Sequence, residues 1–226
     1  MRKFLQTGIF TSTITLGSLF IALPAFAQFG LPSLPGLSKS SSAAMDPDAF
    51  VKSAKEAESL MNNSVSFLAS ALSSKEKAAE FEEAQKAANA LTNPEEKKAK
   101  LAEVQKSQVA AINEATNNAD MKSKVANMDS KKKEGLGASA FNFMLAVLKD
   151  KDLADQAQGV ISSISSNPMA IGKLGSVKDA ASSLSNQVAS ASQIAGKMPD
   201  IFSVVSVKAP VSKDEKPKVT AEVTGE

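Results

Sequence analysis

The sequence predicts an all-α fold: an elongated helical bundle of five or six helices, with a coiled-coil-like hairpin and disordered termini. Three observations carry this. No Gly or Pro interrupts residues 48–93, and apolar residues recur there at alternating four and three. Asn93, Pro94, Glu95 and Glu96 form a helix start within charged sequence. Leu174, Val177, Ala181, Leu184, Val188, Ala191, Ala195 and Met198 keep a three–four rhythm over eight positions.

Residues 1–27 have the pattern of a Sec-type signal peptide. Arg2 and Lys3 precede an apolar stretch over 9–23, and Ala25 and Ala27 supply the small residues before a cleavage site. The apolar stretch is shorter than the ~20 residues a spanning helix needs, so a retained anchor is the weaker reading. Cleavage after Ala27 places the mature chain in the periplasm or outside the cell. A lipid-attached export protein needs a cysteine and there is none, so that reading is weaker still. Cleavage also removes two of the 26 basic side chains and none of the 24 acids, leaving a formally neutral mature chain. Such a chain has no global attraction to nucleic acid, and after residue 27 no apolar run is long enough to span a membrane.

The mature chain lacks Cys, His, Trp, Tyr and Arg. The commonest general base, the thiol nucleophile and the usual zinc ligands are therefore missing. So are the bidentate clamp for phosphate and the best stacking platforms. No enzyme, cofactor or metal site is expected. A Ser/Lys or paired-carboxylate mechanism is the enzymatic alternative, with fragments such as Ser73-Ser74-Lys75 its only support.

Residues 28–45 are rich in Gly, Pro and Ser and read as a flexible leader, whose Leu31, Leu34 and Leu37 suit a loosely docked arm better than a polyproline-type motif. The helical domain covers 46–207, in two parts: charged long helices over 46–134 and apolar, Ser/Ala-rich helices over 135–198. Asp46, Pro47 and Asp48 start the first helix, whose face comprises Phe50, Ala54, Ala57, Met61, Ser64, Leu68 and Ala71. Ser73 followed by Glu76 fits a capping box, starting a second helix over 74–91. An unbroken helix over 94–133 would be about 60 Å long, with any bend at Asn117-Asn118. Gln108 and Asn118 fall on its seam and are read as an exposed edge rather than as register-fixing groups. Lys131, Lys132 and Lys133 are read as a helix C-terminus closed by Gly135.

Residues 136–148 are the most apolar stretch of the mature chain. Phe141, Phe143, Met144, Val147 and Leu148 are the candidate functional residues, as core contacts or as contacts to an apolar ligand. Core is the preferred reading, because only Lys149 and Lys151 supply nearby basic charge. Asp150, Asp152 and Asp155 lack the spacing, glycine and distal glutamate of a calcium loop and read as a solvated helix start. Leu153, Ala157, Val160, Ile161 and Ile164 then form another amphipathic helix. Residues 200–207 are β-branched and read as a strand without a partner. Residues 208–226 lack core residues and read as a disordered tail.

These observations lead to an expectation of class, not mechanism: an exported, non-enzymatic helical protein of the bacterial cell envelope, structural, adaptor or chaperone-like. Its partner would be an unknown envelope protein, or a second copy through helices. A carrier or reversible binder of lipid is the alternative.

Overall fold

The computed structural model describes residues 45–220. The expected signal peptide over 1–27 lies outside the described residues, as do 28–44 of the leader and 221–226 of the tail. Seven α-helices form among the described residues and pack as a bundle. They are α1 (Pro47–Leu72), α2 (Lys75–Ala90), α3 (Pro94–Asn117), α4 (Met121–Ala126), α5 (Ser130–Ser165), α6 (Leu174–Ala195) and α7 (Met198–Val205). Helix α5 is central. Its most extensive interface is with α1, and it also packs against α6 and α7. Helix α3 lies on α1 and α2, and α4 on α7. No helix among the described residues is long and apolar enough to cross a membrane.

Helix α1 begins as its sequence dictates. The Asp46 carboxylate accepts from the Asp48 and Ala49 N–H groups at 3.0 and 3.1 Å, and Pro47 sits where a missing N–H costs nothing. The expected face is buried from Phe50 to Leu68. The cap of α2 is Ser74, one residue later than expected, accepting from the Lys77 N–H at 3.3 Å. This helix buries only Phe81 and Ala88. At the start of α3, the Asn93 side chain accepts from the Glu95 and Glu96 N–H groups at 2.9 and 3.2 Å. Gln108 is not at an exposed edge. It is buried and donates to Ser66 Oγ at 3.3 Å, while Gln105 donates to Asn62 Oδ1 at 2.9 Å, so polar pairs stitch α3 to α1.

The single helix expected over 94–133 is three. Helix α3 stops at Asn117, where a bend was expected, and α4 is a short turn of helix. The Asp129 carboxylate then accepts from the Lys132 N–H at 2.7 Å and starts α5. Lys131, Lys132 and Lys133 are thus at a helix N-terminus, not the expected C-terminus. Lys133 offsets this by donating to the Ala126 carbonyl at 2.5 Å. Gly135 ends no helix either. A Cβ there would lie 2.5 Å from Phe67 Cζ, so this glycine serves close packing of α5 on α1.

The residues read as two helices, over 136–148 and from 153 onward, form one. Asp150, Asp152 and Asp155 are interior to it. The strand expected over 200–207 is instead helix α7 through Val205, because Met198, Ile201 and Phe202 bury one helical face together. Tertiary burial overrides β-propensity here. Ser206, at φ 55°, closes α7 in the left-handed conformation. The tail expected to be disordered from 208 is, over 208–220, an irregular strap seated on α5.

The core divides into two clusters along the bundle. One contains Met61 of α1, Val147 of α5 and Ala191 of α6; the other contains Ala57, Leu153 and Leu184 of the same three helices. Glu58, Asp150 and Gln187 fall in the gaps between them in sequence. Of these, Asp150 and Gln187 are buried, and the negative charge of Glu58 acts on Asp150.

Candidate functional site

All five residues singled out from the sequence are on α5 and all are buried. Phe141, Phe143, Met144 and Val147 belong to the larger apolar cluster, with Phe143 fully enclosed. They do not line one cleft. At 3.6 residues per turn they point to several sides of the helix, and α1, α6, α7 and the strap each take a share. An open cleft of about 500 Å³ lies elsewhere, at the start of α1, lined by Val51, Lys52, Lys55 and Lys173 among others.

The side of α5 bearing Phe141, Asn142 and Asp152 is covered by the strap. Asn142 reads the strap's backbone: its Oδ1 accepts from the Lys218 N–H at 2.7 Å, and its Nδ2 donates to the Lys218 carbonyl at 2.8 Å. The Lys218 ammonium stands 4.4 Å from the centre of the Phe141 ring. Ten residues along α5, Lys213 pairs with Asp152 at 2.6 Å, and Gln156 donates to the same carboxylate oxygen. Between Lys213 and Lys218 the strap therefore runs antiparallel to α5, whereas Val207, packed at Gly137, starts it in the parallel direction. At its start, Val207 packs so closely that a Cβ on Gly137 would lie 2.6 Å from Val207 Cγ2.

Asp150 faces the opposite way. It is fully buried, and neither carboxylate oxygen has a hydrogen-bond partner among the described residues. Burial, and secondarily the negative charge of Glu58 on α1, push its carboxyl up to about 7. On α6, Gln187 is also buried. Its Nε2 donates to Ser183 Oγ at 3.1 Å, and its Oε1 has no partner among the described residues. Asp150 and Asp152 therefore do not converge on a common point.

Asn142, Asp152, Lys213 and Lys218 were not found from the sequence. The one available signal was Asn142 itself, an amide inside the most apolar stretch after residue 27. Asp150 was misread with its neighbours, although it lies seven residues from both Phe143 and Ala157, on their buried face. Compared with protein-family models, curated proteins and solved structures, the chain matches none.

Proposed function

We propose that this is an exported, non-enzymatic protein of the bacterial cell envelope that works through helical interaction surfaces, in a structural, adaptor or chaperone-like role. The observation that supports it is the seat of the strap on α5. There a helix face holds an extended polypeptide by its backbone, through Asn142, with charge and ring contacts adding register. Backbone reading tolerates varied sequence, which suits an adaptor. The test is a pull-down of the mature protein from its own envelope fraction, with lipid extraction of the purified material. A stoichiometric protein partner supports this reading. Co-purifying lipid without protein replaces it with the carrier reading, which the apolar composition of α5 beneath the strap favours.

Export is tested separately. Intact-mass measurement on protein recovered outside the cytoplasm is expected to give an N-terminus at Gln28. A mass retaining Met1 to Ala27 would remove the basis for the proposed location.

A further inference from the structure

We propose that the strap is exchangeable: the α5 face beneath it accepts residues 208–220 of a second copy of this chain, joining two copies by a reciprocal swap. This deepens the interaction reading by naming a partner, and it rests on that reading's use of the α5 face.

The face requires an occupant. Asn142 is 4% exposed, and among the described residues its side chain bonds only to Lys218. Uncovered, it would be an amide set in apolar surface beside Phe141. The occupant behaves as a preformed unit. The Glu215 carboxylate accepts from the Val211 and Ser212 N–H groups at 2.6 and 3.0 Å, and the Asp214 N–H donates to Ser212 Oγ at 3.2 Å. This local turn travels with the strap wherever it docks.

The structure also supplies a hinge. Val207 is held against Gly137 and Pro210 is buried, whereas Lys208 and Ala209 between them are exposed and make no hydrogen bond among the described residues. Rotation at these two residues carries the strap away without disturbing α7. A strap from an identical chain makes the same hydrogen bonds and the same ion pair on α5, since its lysines have the spacing that Asp152 and Phe141 require. Exchange therefore leaves the interaction energy unchanged, and chain concentration decides the balance.

The experiment uses two full-length variants, Asp152→Lys and Lys213→Glu. Both side chains are partly exposed, so the bundle is expected to tolerate either change, and circular dichroism verifies this. Within each variant the strap anchor becomes a like-charge pair. In a reciprocal dimer of the two, one anchor joins the two native partners and the other joins the two substituted residues, so both are opposite-charge pairs. Native mass spectrometry after equilibration of the mixture is expected to show the mixed dimer at about tenfold the abundance of the dimer in either variant alone. The double variant in one chain should return to the wild-type ratio. A mixture that stays monomeric overturns the exchange, leaving the envelope pull-down as the independent test of the broader reading. Dimers as abundant in each variant alone as in the mixture also overturn it, because they place the contact on another surface.

Discussion

Replacing Asp150 with asparagine is expected to stabilise the protein by about 4 kcal/mol above pH 7, and to do so progressively less toward pH 4. The folded carboxyl titrates near 7, against an ordinary value of 3.8. Below about pH 3.8 it is neutral in both states and exacts no penalty. Between there and about 7 the unfolded chain has released its proton and the folded chain has not, so stability falls by about 1.4 kcal/mol per pH unit. Above 7 the folded group ionises too, and the loss is complete and constant. Asparagine mimics the protonated form throughout. Urea unfolding of wild type and Asp150→Asn at intervals from pH 4.5 to 8 reads the difference directly. A stability difference independent of pH would show that the carboxylate finds solvation or a partner, and the account of Asp150 as a buried, unpartnered acid would fail.

The second large effect is at Phe143. This ring is fully enclosed in the larger cluster, so Phe143→Ala leaves a cavity and is expected to cost on the order of 3–5 kcal/mol. That is a large share of the ~5–15 kcal/mol total expected for a domain. The variant should melt much earlier, equally with and without lipid vesicles. Vesicle co-sedimentation separates the alternatives. Unchanged melting with lost vesicle binding would assign the ring to a ligand and promote the lipid-carrier reading.

The amphipathic helices were legible because their burial is one-sided. Phe50, Ala54, Ala57, Met61 and Leu68 on α1, and Val177, Ala181, Leu184 and Ala191 on α6, are buried at the positions their spacing marked. Caps at Asp46 and Asn93 were legible because a short side chain before Pro leaves few other readings. Helix α5 was not legible as one element. Over 135–148 it is enclosed on all sides and shows no apolar period, so Gly135 and the aspartates over 150–155 looked like breaks before the amphipathic half that follows. The strap was beyond reach for a different reason. Asn142 and Lys218 are 76 residues apart, and nothing local to either announces the other.

The composition of the smaller cluster bears on the order in which the chain can fold. Phe50, Ala54 and Ala57 pack with Leu153, Ala157, Val160 and Ile164, and with residues of α6; no buried member falls between Ala57 and Leu153. The first half of α1 is thus made on the ribosome long before its partners. At about 5–20 residues per second, the wait for Leu153 is roughly 5–20 s. For that interval the earliest helix carries an uncovered apolar stripe. Co-translational folding cannot complete from the N-terminus, and α1 is the segment on which a holding chaperone would act.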